Sequence, residues 1–227
     1  MYFDGMYILI IIAFIFSLWA QFRVKGTFNK FSKFENYSGM TGQEAARRML
    51  DANGLYDVPI EPVRGSLTDH YDPIHRVVRL SEPVYYERTI SAVSVACHEV
   101  GHAIQHKVHY PMLVLRHRIF PVVNIASGIA PFLLLAGFFF QSFNLLGLGI
   151  LFFSVAVAFQ LITLPVEFNA SNRARRIMLE QGYVSPNEEK QVGKVLNAAA
   201  LTYVAAALVS VLELLRYILL FTSSNRE

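Results

Sequence analysis

Four stretches of this chain stay apolar for longer than a buried core element needs. Residues 6–22 (MYILIIIAFIFSLWAQF) run 17 positions without a charge. Residues 119–140 and 143–164 form two longer runs parted only by Gln141 and Ser142, and residues 195–221 form a fourth. A helix needs about 20 apolar residues to cross the hydrocarbon core of a bilayer. The pattern therefore predicts a mainly α-helical integral membrane protein with about four transmembrane helices. The second and third runs read as a helical hairpin. Pro121 and Pro131 lie inside its first arm, where neighbouring helices re-satisfy the freed backbone groups. Glu213 and Arg216 fall three residues apart in the fourth run and are read as snorkelling towards the far interface rather than as a pair.

The first run is expected to be a retained anchor. A cleaved signal peptide has a basic leading flank. Here the leading flank is the acidic MYFDG, and Arg23, Lys25, Lys30 and Lys33 follow the run instead.

Between the first two runs the pattern changes. In TGQEAARRMLDANG, Thr41 and Glu44 have the spacing of a capping box and Gly54 is a stop, so a helix is expected there, its apolar face formed by Ala45, Ala46, Met49 and Leu50. Residues 58–63 and 76–80 (RVVRL) read as short strands, with Gly65, Asp69, Asp72 and Pro73 turning the chain between them. A further helix is expected from Thr89 to about Val108. Residues 26–42 are polar and read as a loop. The expected organisation is an anchor at 1–22 and a cytoplasmic segment at 23–118 with short strands and a helix. A hairpin at 119–164, a second cytoplasmic segment at 165–194, and a fourth transmembrane helix with a short tail at 195–227 complete it. The two cytoplasmic segments would make a small α+β zincin-like part.

Composition agrees. Of the 227 residues 54% are hydrophobic and 16% charged, against about 25% charged in soluble domains. The net charge of +3 is too mild to argue for a nucleic-acid partner. The positions of the basic residues carry more information. They crowd residues 23–118 and recur at Arg173, Arg175 and Arg176, while MYFDG and Gln141–Ser142 have none. By the positive-inside rule both basic segments face the cytoplasm and both termini lie outside. The single cysteine, Cys97, excludes an intrachain disulfide.

The helix from Thr89 carries the chemistry. His98-Glu99-Val100-Gly101-His102 is HExxH. Residues four apart lie one above the other on a helix face, so both imidazoles can reach one Zn²⁺ at about 2.0–2.1 Å. Glu99 then stands where it can act as general base on water acidified by the metal. Small apolar flanks (Ala92, Val95, Ala96, Ala103) suit a buried helix, and Gly101 permits close approach of another element. Cys97 points off the ligand face, which disfavours a closed structural zinc site.

A catalytic zinc usually takes three protein ligands. The longer HExxHxxGxxH pattern is absent, since Gln105 and Val108 stand in its last two positions. His106 continues the 98–102 face, but three ligands from one straight helix rarely converge, so it is read as a second-shell or polar-face residue. His109 and His117 read as juxtamembrane surface residues. Glu167, 65 residues beyond His102 in LPVEFNASNRARR, is the better third ligand. The hairpin leaves the membrane face and returns Glu167 to it. A carboxylate opening a helix just after an apolar span is often only a helix-start charge, but the topology and the need for a ligand favour coordination. Glu180 and Glu188–Glu189 are weaker choices.

HEVGHAIQH, LPVEFNAS and LTYVAAAL, with the order of anchor, soluble segment, HExxH, hairpin and glutamate, resemble the YugP-like neutral zinc metallopeptidases of bacteria over nearly the whole chain. That family resembles the HtpX and CAAX-prenyl membrane proteases, which use HExxH and a glutamate in E-x-x-x-D. The resemblance implies Glu167 as third ligand. Ser171 stands here in place of the aspartate, and Asn169 is read as taking part of its role in orienting a histidine. The resemblance also implies a bacterial membrane peptidase; the basic-residue topology places the expected active site on the cytoplasmic side of the cytoplasmic membrane, and its position against the bilayer makes peptides or membrane proteins the expected substrates. Arg173, Tyr203 and His70 are the candidate oxyanion donors. The strand at 76–80 is a candidate for pairing with an extended substrate. The competing function is a non-catalytic zinc-binding membrane adaptor or regulatory protein.

Overall fold

The computed structural model describes residues 2–224. Met1, which opens the MYFDG flank, and residues 225–227, the end of the expected tail, lie outside the described residues. The elements in chain order are α1 (Tyr2–Phe31), α2 (Gly42–Ala52), β1 (Ile60–Val63), β2 (His70–Asp72), β3 (Val77–Ser81), α3 (Glu82–Tyr86), α4 (Ile90–Lys107), α5 (Pro111–Phe139), α6 (Phe143–Glu180) and α7 (Pro186–Ser224). They divide into two units.

Of the described residues, the first unit comprises 2–20, Val114–Pro165 and 202–224, which are parts of α1, α5, α6 and α7. These four helices are long and apolar enough to cross a membrane. Their burial is inverted relative to a soluble bundle. Alanines 13, 126, 130, 205 and 207 are buried, while Ile11, Phe14, Phe132, Leu135, Leu151 and Leu219 are exposed. Small residues inside and large apolar residues outside is the arrangement for helices packed in lipid. Gly137 shows why small residues are needed: a β-carbon there would stand 2.7 Å from the backbone nitrogen of Leu146 on the other arm of the hairpin. Pro121 and Pro131 sit inside an unbroken α5. Glu213 and Arg216, expected to snorkel apart, form an ion pair at 2.5 Å instead. The Arg216 guanidinium also lies 4.8 Å from the Tyr217 ring and 5.5 Å from the Tyr7 ring. One turn of helix brings the two charges together, and pairing costs less than leaving either one alone in an apolar setting.

The second unit comprises Gln21–Leu113 and Val166–Leu201. Its helix α2 opens with the expected capping box: the Glu44 amide donates to Thr41 Oγ1 (3.1 Å), and the Thr41 amide donates to the Glu44 carboxylate (2.7 Å). The stop is also as expected, with Gly54 at φ +65°. Met49 and Leu50 of α2 share a core with Val78 and Leu80 of β3, Val93, Cys97, Val100 and Ile104 of α4, Met178 of α6 and Leu196 of α7. The α4 positions 93, 97, 100 and 104 follow helical period, so one face of α4 is committed to this core and the histidine face is left for another role.

The sheet differs from expectation in two respects. Among the described residues the sheet has three strands, in the order β1-β3-β2, with β1 parallel and β2 antiparallel to β3. Strand β2 comes from a segment read as turns, where three mostly polar residues give no strand pattern. Strand β3, the expected partner for substrate, is central, and both of its edges are already paired. The expected loop at 26–42 is also shorter, because α1 continues to Phe31. Phe28 and Phe31 are buried there in the core of the second unit, and that burial extends the helix past the polar stretch.

A candidate metal centre

His98, Glu99, His102 and Glu167 all lie in the second unit. Thr89 caps α4, its hydroxyl accepting from the Ala92 amide at 3.2 Å. The helix then runs unbroken through His98 and His102. Glu167 comes from α6, two residues beyond Pro165, in the middle of a 38-residue helix. It is therefore not a helix-start charge. The two helices meet at Gly101, where a β-carbon would be 2.7 Å from the carbonyl oxygen of Ala170. With no side chain in the way, α6 can bring Glu167 up to the histidine face.

The donor atoms converge. His98 Nε2 lies 3.4 Å and His102 Nε2 3.6 Å from the same oxygen, Glu167 Oε2, and one donor atom from each of the three residues falls within 4.8 Å of the others. Ligands about 2 Å from one ion at tetrahedral angles stand about 3.3 Å apart, so these separations suit zinc. The chemistry suits it too: two imidazoles and a carboxylate are a catalytic zinc set. The side chains are 14%, 11% and 4% exposed, so little water competes. Among the described residues this is the one His/Cys/Asp/Glu group so arranged.

Each imidazole is held from behind by its other nitrogen. Ser171 Oγ lies 3.1 Å from His98 Nδ1. Gln105 Oε1 lies 3.0 Å from His102 Nδ1. The Gln105 amide nitrogen donates to the Val166 carbonyl (2.8 Å) and to Asn169 Oδ1 (2.9 Å), and Arg173 Nε donates to Asn169 Oδ1 (2.8 Å). Asn169 thus reaches a histidine only through Gln105, and Ser171 itself contacts His98. Gln105 carries no expected supporting role, and Ser171 is expected only to stand in the aspartate's place, the orienting role being read onto Asn169. The available signal was spacing: Gln105 follows His102 by three and Ser171 follows Glu167 by four, and both separations share a helix face.

Glu99 is buried. Burial pushes its carboxyl up to about 7; the charge of His98 opposes this, those of Glu167 and Asp69 add to it, and a backbone hydrogen bond from Tyr71 opposes it. Strand β2 therefore runs beside Glu99. It is tied to α4 a second time, where the Tyr71 hydroxyl meets His106 Nδ1 at 2.9 Å. His106 is thus engaged with β2, outside the three-residue cluster. Asp69, just before β2, accepts from the Ser81 amide (2.7 Å) and hydroxyl (3.0 Å). His70 is exposed, with Nδ1 2.9 Å from the Thr68 carbonyl. Tyr203 belongs to the first unit.

A family model described as "Putative neutral zinc metallopeptidase" matches residues 6–222. A protein of Bacillus subtilis (strain 168) described as "Putative membrane protease YugP" is 67% identical over 211 residues, which is 93% of this chain and 94% of that protein. No solved structure matches the chain.

Proposed function

The chain belongs to this family of neutral zinc metallopeptidases, and on that premise we propose that it is a membrane endopeptidase in which His98, His102 and Glu167 hold the zinc and Glu99 is the general base. The convergence of two Nε2 atoms on one Glu167 oxygen supports this reading most directly. A zinc ion held by His98, His102 and Glu167 would supply Lewis acidity to the scissile carbonyl and to a bound water. Glu99 takes the proton of the attacking water and hands it to the leaving amine nitrogen. Ser171 and Gln105 keep the imidazoles aimed. Of the polar candidates read from sequence, Arg173 and His70 share the unit of the metal cluster, and the oxyanion donor is drawn from these two.

An extended substrate is proposed to lie along β2. Among the described residues β2 keeps one edge without a strand partner, whereas β3 has no edge left to offer. Glu167 follows an apolar span within a single helix, which favours membrane proteins or their juxtamembrane segments as substrates. The distribution of basic residues favours a multi-pass protein of the bacterial cytoplasmic membrane, with the 23–118 and 165–194 segments and the site on the cytoplasmic side. The test is cleavage by the purified protein in detergent or vesicles. Membrane substrates should be cut in preference to soluble unfolded chains, a chelator should abolish cleavage, and added zinc should restore it. Equal cleavage of both substrate classes sinks the proposed preference, and chelator-resistant cleavage sinks the zinc mechanism.

A further inference from the structure

We infer that Gln105 is a positioning residue that locks His102 in the tautomer carrying its proton on Nδ1. This rests on the reading of His102 as a zinc ligand. To bind a metal through Nε2, His102 must leave a lone pair on that atom. A neutral imidazole can carry its proton on either nitrogen, so something must choose.

The choice follows from groups that cannot change roles. The Val166 carbonyl only accepts, and it lies 2.8 Å from one end of the Gln105 amide. That end must be the NH₂. Turning the amide over would set oxygen against oxygen. The second hydrogen of the NH₂ goes to Asn169 Oδ1 at 2.9 Å. Asn169 is fixed in turn by Arg173, whose Nε only donates and lies 2.8 Å from the same oxygen. Gln105 Oε1 is therefore the end that faces His102 Nδ1 at 3.0 Å. An amide oxygen accepts only, so Nδ1 must donate, and in the neutral imidazole that leaves Nε2, which faces Glu167 Oε2 at 3.6 Å, without the proton.

A backbone carbonyl at one end and a guanidinium at the other thus fix the state of an imidazole between them. Gln105 is fully buried, so no water can replace a lost partner. His98 is held differently. Its Nδ1 faces the Ser171 hydroxyl, which can donate or accept and so does not choose a tautomer. The two ligands are supported unequally, and His102 is the one fixed in advance.

The test needs no peptidase activity. Histidine labelled with ¹⁵N is placed in the full-length, zinc-stripped protein in detergent, at a pH where imidazoles are neutral, and the His102 resonances are identified by their loss in His102→Gln. The expected result is a single Nδ1–H tautomer at His102, giving way to a mixture in Gln105→Met. Zinc affinity, measured by competition with a chromophoric chelator, should fall about 10- to 100-fold in Gln105→Met. It should fall less in Asn169→Leu, where the Val166 carbonyl still orients the amide. An Nε2–H tautomer at His102 in the parent protein overturns the inference whether or not any variant folds. So does unchanged zinc affinity in Gln105→Met. A parent protein that binds no zinc would instead contradict the zinc-site reading beneath it.

Discussion

A β-carbon added to Gly101 would stand 2.7 Å from the carbonyl oxygen of Ala170, and 3.2 Å from that residue's carbonyl carbon and α-carbon. The atoms it would meet are backbone within a helix, so they cannot swing aside. This is where α4 and α6 touch, one residue before His102 and three after Glu167. The proposed zinc ligands therefore depend on the absence of a side chain between them.

Gly101→Ala should push the two helices apart and spread the donor atoms. Overpacking of this kind costs about 1–3 kcal/mol. Thermal melts should show the loss, and zinc titration should show weaker binding. A variant with parental stability and parental zinc affinity would mean that the helices are free to part here.

The paired charges of the first unit give a second test. Arg216→Leu leaves the Glu213 carboxylate without its 2.5 Å partner, and an uncompensated charge in an apolar setting costs more than removing the pair altogether. Thermal stability in detergent should fall further for Arg216→Leu than for the double variant Glu213→Gln/Arg216→Leu.

The surface of the small sheet carries a pH effect. Hydrogen bonds from His75 and Arg79 hold the Asp72 carboxyl well below the usual carboxylate range. Its folded-state pKa lies below its unfolded one, so its stabilisation is complete above about pH 4 and drains away as the pH falls further. Asp72→Asn should lower Tm by a few degrees at pH 7, and the difference from the parent should shrink steadily below pH 4.

Cys97 faces the opposite situation. It is fully buried among the core side chains of α2 and α4, and burial alone pushes its thiol far above the ordinary range. The thiolate is the reactive form, so alkylating reagents should leave Cys97 untouched in the native protein. Labelling at neutral pH should proceed at the rate of unfolding and rise with denaturant.

Much of this was legible in the sequence because it is local. The capping box at Thr41 and Glu44, the helix starting at Thr89, the i, i+4 histidines and the small residue at 101 are each set by residues a turn or less apart. Glu167 was legible for a different reason: alternation of apolar runs and basic segments is enough to predict which loops share a side. What was missed depends on distant partners. Strand β2 is three residues long and exists because β3 pairs with it. The 26–31 segment is helical because Phe28 and Phe31 find a core. Gln105 looks like an ordinary helical glutamine until α6 brings Val166 and Asn169 to it across more than sixty residues of chain.

Holding the metal and moving the proton are two roles that residues of the same cluster could share. Zinc content and cleavage should therefore be measured together for the parent, Glu99→Gln and Glu167→Ala. Glu99→Gln is expected to keep its zinc and lose cleavage by about 100-fold or more, the scale of a missing general base. Glu167→Ala is expected to lose both. Normal cleavage by Glu99→Gln, or full zinc occupancy in Glu167→Ala, would contradict the account.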